Sequence, residues 1–267
     1  MVTFKRKSPH SLILALGLLF GALIDAQTVP LPNGAFSSVI LAPWGHYYAI
    51  DDLSREVVLF DAGGEVKGRY GGFGRGPHAL KHPVALAVED NHLYLLDRGA
   101  PAIVQLDRHL NPIGRLPLSE QILPLDFVRD AKGMFWVVDG TTSELQILQS
   151  TGQPYPSPGW VGQLISPELI ATDGHRVAVW DRGAATVVVA ESGGGVLARY
   201  ALDPEGAVDA LAIKDDLVMI LANGTIHHAD GAASPFSGAA SGLSAYDKGW
   251  IIVTGEGRQL LQVPLAP

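Results

Sequence analysis

The stretch GGFGRGPHALKHPVALAVEDNHLYLLDRGAPAIVQLD, Gly71 to Asp107, decides how this chain is read. A glycine-rich loop leads into a proline-started apolar run, VALAV from Val84, and then come HLYLLD from His92 and AIVQLD from Ala102. Glu-Asp-Asn and Arg-Gly-Ala-Pro separate the runs, and short apolar runs bounded by such turn residues predict β-strands. A fourth run, PIGRLPL from Pro112, follows Arg-His-Leu-Asn. Four short strands in about 42 residues form a unit that cannot bury its apolar surface alone and must stack on copies of itself.

The copies are present. YYAID (Tyr47 to Asp51), LYLLD (Leu93 to Asp97), FWVVD (Phe135 to Asp139) and VAVWD (Val177 to Asp181) each end in aspartate, at separations of 46, 42 and 42 residues. VMILAN continues the series to Asn223, and WIIVTG supplies a degenerate member around Thr254. Six units begin near Val39, Val84, Leu125, Glu168, Val208 and Leu243, and the last has room for only three strands before Pro267. Thr28-Val29-Pro30-Leu31-Pro32 echoes the outer-strand sequence Gly114-Arg115-Leu116-Pro117-Leu118, so the missing strand is expected from the N-terminal side. The expected architecture is all-β: one six-bladed β-propeller domain over residues 27–267, its last blade closed by an N-terminal strand so that no sheet edge is left open.

Over Gly71 to Asp107 the chain resembles the six-bladed propellers of the NHL-repeat superfamily, particularly the exported bacterial type. The matching features are the glycine-rich approach, the proline-started inner strand, the second strand ending in aspartate and the amphipathic third strand. The resemblance implies a disc with a central channel, used mostly to bind ligands or proteins, with some members acting as lyases or metal-dependent hydrolases. Fold-level kinship does not choose among these.

Composition agrees with a packed β-protein. Of 267 residues 47% are hydrophobic and 17% charged, and the 31 glycines and 18 prolines follow no low-complexity pattern, as a turn-rich chain requires. Net charge is −8; residues 1–26 hold Lys5, Arg6 and Lys7 against Asp25, which leaves −10 on the remainder. Binding to nucleic acid or to an anionic membrane surface is therefore not expected. Zero cysteines exclude disulfides, thiolate metal sites and cysteine nucleophiles. Lys5-Arg6-Lys7 precede an apolar run from Leu12 to Ile24 and Ala26 offers a small residue before Gln27, which reads as a secretory signal peptide over 1–26. A helix of that run rises about 20 Å against a hydrocarbon core of roughly 30 Å, so no integral span is expected after processing. The expected location is a bacterial periplasm or the cell exterior; Ile24, larger than the alanine preferred there, leaves an uncleaved anchor as the alternative.

Several side chains are placed to carry function. Asp51, Asp97, Asp139 and Asp181 are expected to accept hydrogen bonds from the amides of the turn that follows, a repeated and therefore architectural role. Arg69, Arg115 and Arg199, in outer strands, are expected to cover the rim with their stems. Arg98 and Arg182 begin turns between second and third strands, on the face that also carries the loops leading into each blade, here called the upper face. Guanidiniums there suit a carboxylate or phosphate. The loop Gly71 to His78 belongs to the same face, so Arg75, His78, His82, Arg98 and Arg182 form the candidate ligand-binding set; the loop lacks the strand-to-helix setting of a phosphate loop. Asp126, Glu168 and Asp209, separated by 42 and 41 residues, open three consecutive inner strands and are expected to converge at the channel, where a calcium ion would relieve their repulsion. Metal-dependent propeller hydrolases hold calcium with channel acids and amides, whereas Val39, Val84 and Leu243 stand at the other three starts. His82 precedes Pro83, while the family's zinc lyases place histidines after that proline; no HExxH or GxSxG motif is present, and His227-His228 point to opposite sides of a strand. The favoured reading is a non-catalytic exported propeller, free of cofactor, that binds a partner protein, peptide or glycan on its upper face. Its rival is a calcium-dependent hydrolase or lyase built on Asp126, Glu168 and Asp209.

Overall fold

Second strands such as YYAID and FWVVD are apolar up to their closing aspartate, and such a run is stable only where both faces of its sheet are covered. The computed structural model, which describes residues 27–89, 91–156, 162–192, 195–202, 207–215, 217–228, 233–234, 240–246, 249–254 and 259–264, covers them on both sides. Strand β1 (Gln27–Pro30) comes first in the chain. Blade 1 is β2 (Phe36–Leu41), β3 (Tyr47–Asp51), β4 (Glu56–Phe60) and β5 (Val66–Gly71); blade 2 is β6 (Pro83–Glu89), β7 (His92–Asp97), β8 (Ala102–Asp107) and β9 (Pro112–Pro117). Blade 3 is β10 (Pro124–Arg129), β11 (Phe135–Asp139) and β12 (Glu144–Leu148). Blade 4 is β13 (Pro167–Thr172), β14 (Arg176–Asp181), β15 (Thr186–Glu191) and β16 (Val196–Ala201). Blade 5 is β17 (Val208–Lys214), β18 (Leu217–Ala222), β19 (Thr225–His228) and β20 (Ala233–Ser234). Blade 6 is β21 (Ala240–Tyr246), β22 (Gly249–Thr254) and β23 (Gln259–Pro264), and β1 completes it.

The result is the six-bladed ring expected from the repeat. Closure has the expected form: β1 runs antiparallel to β23 with Thr28 opposite Leu261 and Val29 opposite Leu260. Val29 and Leu31 join Phe36, Tyr47 and Leu260 in the core between blades 6 and 1. Six such cores, one between each pair of neighbouring blades, carry the apolar burial of the molecule. Residues 1–26, expected to be a signal peptide, lie outside the described residues.

Two expectations need correction. Blade 3 pairs only three strands among the described residues, and beyond β12 a single bridge joins Leu148 to Pro154. Pro154 and Pro156 stand where a fourth strand would run, and each removes a ladder donor. The strand-ending aspartates use the turn that follows in blades 1 and 3, where Ser54 and Thr142 also donate their hydroxyls to Asp51 (2.9 Å) and Asp139 (2.8 Å), but not in blades 2 and 4. Asp97 accepts from the amides of Lys81 (3.1 Å) and His82 (2.8 Å), and Asp181 from those of Ile165 and Ser166 (both 2.8 Å), all in the loop entering the same blade. Asp51 and Asp139 take one amide from each side: Ala35 and Leu53, and Leu123 and Thr141. These four carboxylates are buried, and each ties the inner strand's approach to the end of the second strand.

Candidate functional site

The sequence Asp-Arg-Gly-Ala, present in blades 2 and 4, works as a clasp on the upper face. Asp97 holds the amides of Lys81 and His82, and the Arg98 amide in return donates to the His82 carbonyl (2.8 Å). Gly99 lies so close to that loop that a Cβ would stand 2.7 Å from Cβ of Lys81, which admits only glycine. Asp181, Arg182 and Gly183 repeat the arrangement against Ile165 and Ser166. The backbone clasp thus sets the root of each arginine, and what surrounds the side chain decides its use.

In blade 2 the Arg98 side chain turns onto His82, with Nη2 3.1 Å from the imidazole Nε2. Beside it the β3–β4 turn of blade 1 presents Asp52 and Arg55, and these two with His82 and Pro83 line a cleft of about 240 Å³ between blades 1 and 2. The Arg55 guanidinium lies over the ring of Phe73, 4.7 Å from its centroid, and Phe73 is 67% exposed. Asp52 accepts from the Ser37 hydroxyl (3.0 Å), and partial burial draws its pKa upward. Burial first, then the charges of Arg98 and Arg55, hold the His82 pKa below its ordinary value, so the imidazole stays neutral and presents an acceptor to Arg98. The loop is pinned from beneath: Lys81 Nζ donates to the Gly74 carbonyl (2.9 Å), and Gly71, at φ 104°, leaves room for Leu80, which a Cβ would meet at 2.4 Å.

Of the five side chains expected on this face, His82 and Arg98 are brought together. His78 packs on the Tyr70 ring (5.6 Å between centroids), and Arg75 is exposed on the loop. Arg182 stands two blades away, its Nε 2.9 Å from Glu168. Asp52, Arg55 and Phe73 complete the cluster although sequence reasoning passed them over. Their signal is present: Asp52 and Arg55 follow the strand-ending Asp51 as Arg98 follows Asp97, and Phe73 is a large apolar residue among glycines.

The inner-strand acids do not converge, and the cause is one residue of register. Every inner strand carries an irregularity at its start, and the extra residue is Leu125 in blade 3, Glu168 in blade 4 and Asp209 in blade 5. Asp126 therefore matches Leu169 and Ala210, one position on from its supposed partners, and a one-residue slip turns a side chain to the other face of its strand. Its Oδ1 accepts from the Phe127 amide (2.8 Å) and its Oδ2 from the Ile170 amide of blade 4 (2.9 Å). Burial, partly offset by those amides, pushes its pKa up to about 7. Glu168 is engaged by Arg182, and Asp209 is exposed. Among the described residues no three histidine, aspartate or glutamate side chains lie close enough to hold a metal ion, so the donor set does not fit calcium at the channel.

No family model and no curated protein matches this chain. Among solved structures it is similar to a gluconolactonase from Xanthomonas campestris, at 17% identity and a TM-score of 0.68 over 90% of each chain. Streptogramin B lyase is similar at 14% identity and a TM-score of 0.60 over 91% of this chain and 88% of that one. A virginiamycin B lyase from Staphylococcus aureus follows at 10% and 0.57, covering 91% and 89%. The likeness is one of fold: these neighbours share the six-bladed propeller.

Proposed function

We propose that this chain is an exported, non-catalytic propeller that binds an acidic segment of a partner protein or peptide in the upper cleft between blades 1 and 2. The observation that supports it is the convergence of Arg55 and Arg98 on a neutral His82, beside an exposed Phe73, in a chain whose net charge is otherwise negative. Two forked guanidiniums suit a carboxylate, and an exposed aromatic ring suits an apolar neighbour of that carboxylate on an extended peptide. Export rests on the basic and apolar segment before Gln27.

The rival, a hydrolase or lyase, draws on fold neighbours that are a lactonase and lyases. At such identities fold alone is shared, and the acids on which that chemistry was to rest have no common partner here: Asp126 takes backbone amides, Glu168 pairs with Arg182 and Asp209 is exposed. The reading is tested by panning a random peptide library on the purified protein, with counter-selection on a variant carrying both Arg55→Glu and Arg98→Glu. The expected outcome is enrichment of acidic peptides that the variant releases, with single changes to alanine weakening binding about tenfold. Enrichment that survives the double reversal would overturn it.

A further inference from the structure

A cavity of about 450 Å³ lies between blades 2 and 3, at the opposite, lower side, where first strands turn into second strands and third into fourth. Its size falls in the range of small-molecule sites. The preceding interface explains why it exists. The β4–β5, β8–β9 and post-β12 turns close with the same two backbone bonds, which makes Gly64, Leu110 and Gly152 equivalent, all at positive φ (84°, 68° and 84°). Leucine is costly in that conformation, and Leu110 is buried: its Cδ1 would stand 3.7 Å from a Cβ at Gly68, closing the groove between blades 1 and 2. Tyr48 holds this plug down by donating to the Arg108 carbonyl (2.6 Å). Between blades 2 and 3 the plug position is Gly152. Gly114, the counterpart of Gly68, would meet only Oε1 of Gln105, at 3.9 Å, and it lines the cavity.

The walls are two-sided in character. Tyr94, Phe135, Ile103 and Leu116 are apolar or aromatic, while Arg115, Arg129, His92 and Gln105 are polar, and among the described residues no acidic side chain lines the space. The Arg129 guanidinium lies over the rings of Tyr94 (4.7 Å) and Phe135 (5.4 Å). It pairs with Glu89, which stands outside the lining, and its Nε has no acceptor among the described residues. Arg115 lies opposite Val104, on the face of the blade turned to blade 1, and its guanidinium donates to the Ala100 carbonyl (3.1 Å) and pairs with Asp97 (3.5 Å) at the upper end. The cation that faces the cavity is thus Arg129, over an aromatic base. We propose that this cavity binds a small organic anion with an apolar body, an aliphatic or aromatic carboxylate. The carboxylate would face Arg129, with His92 and Gln105 beside it, and the body would lie against Tyr94, Ile103 and Leu116.

The test uses benzoate and hexanoate as probes, with benzamide as the neutral counterpart. Titration of the purified protein with methyl-labelled leucine and isoleucine is expected to shift the methyl resonances of Ile103 and Leu116 while leaving Leu110, in the sealed interface, unmoved. Gly114→Leu, for which the backbone has room, is expected to fold and to weaken benzoate binding about tenfold or more. The Arg98→Glu change on the upper face is expected to leave it intact. Absence of methyl shifts with both carboxylates, shifts at Leu110 as large as at Leu116, or benzamide binding as tightly as benzoate would overturn the proposal. Should Gly114→Leu fail to fold, the methyl map of the parent protein decides alone.

Discussion

At Asp97 and Asp181 the carboxylate takes two backbone amides from the loop entering its own blade, whereas Asp126, Glu168 and Asp209, spaced almost as evenly, share no kind of partner: amides for Asp126, an arginine for Glu168, solvent for Asp209. One series ends strands buried at every position after the first, so its direction is fixed by the packing on both sides. The other sits at the irregular start of inner strands, where one extra residue per blade changes which side chain faces the channel. An even interval thus marks a shared place along the backbone. Only burial turns a shared place into a shared role.

The difference can be broken experimentally, and the largest effect is expected where the ring itself is cut. Removing Thr28 to Asn33 exposes the edge of β23 and strips Val29 and Leu31 from the core between blades 6 and 1. Burial of those two side chains alone is worth about 1.5–3 kcal/mol each. Loss of cooperative melting is the expected result, and an unchanged melting temperature would refute closure by β1.

Next in size is Asp97→Ala, which leaves the Lys81 and His82 amides without their acceptor. At about 1–3 kcal/mol per stranded group, a loss of about 2–6 kcal/mol is expected in denaturant unfolding. If Asp97 tolerated alanine as well as Asp209 is expected to tolerate asparagine, the division between the two series would collapse.

Asp126 stands between the extremes and is expected to report through pH. Its raised pKa means that the folded chain holds a proton which the unfolded chain releases near the ordinary aspartate value. Stability contributed by this group is full below about pH 4, is lost as pH rises towards about 7, and changes no further above that. Melting between about pH 5 and 8 is expected to show this decline in the parent and a flatter profile in Asp126→Asn. Parallel profiles would mean that the carboxyl is ionised throughout.

The smallest effects are expected at Glu168→Gln and Asp209→Asn. An exposed ion pair such as Glu168 with Arg182 contributes about 0–1 kcal/mol, and Asp209 is exposed with the solvent to screen it. Melting of both variants should match the parent with calcium present or absent. A calcium-dependent rise in the parent that either change removes would restore the metal reading.

Much of the fold is legible in the chain because its signal is repeated. The buried second strands end in aspartate four times, and Thr28 to Pro32 echoes an outer strand that already has a partner. The short blade 3 is legible too, in the alternating prolines after Gln153, yet the four-run pattern of blade 2 conceals it. The candidate site is less so. His82 and Arg98 follow from loop membership, but Asp52, Arg55 and Phe73 join them through packing between two blades, which no spacing within one repeat encodes. The register of Asp126 depends on a bulge, and Leu125 and Asp126 are both plausible openings of an apolar strand until the pairing is seen.

The central claim, that the upper cleft is the working surface and the channel acids are not, is tested most directly by one binding titration. A labelled acidic peptide recovered from the library would be titrated by fluorescence polarisation against three proteins: the parent, the Arg55→Glu and Arg98→Glu double variant, and a Glu168→Gln and Asp209→Asn double variant. The account predicts that affinity is lost only in the first pair. Loss in the second pair, with the first still binding, would contradict it.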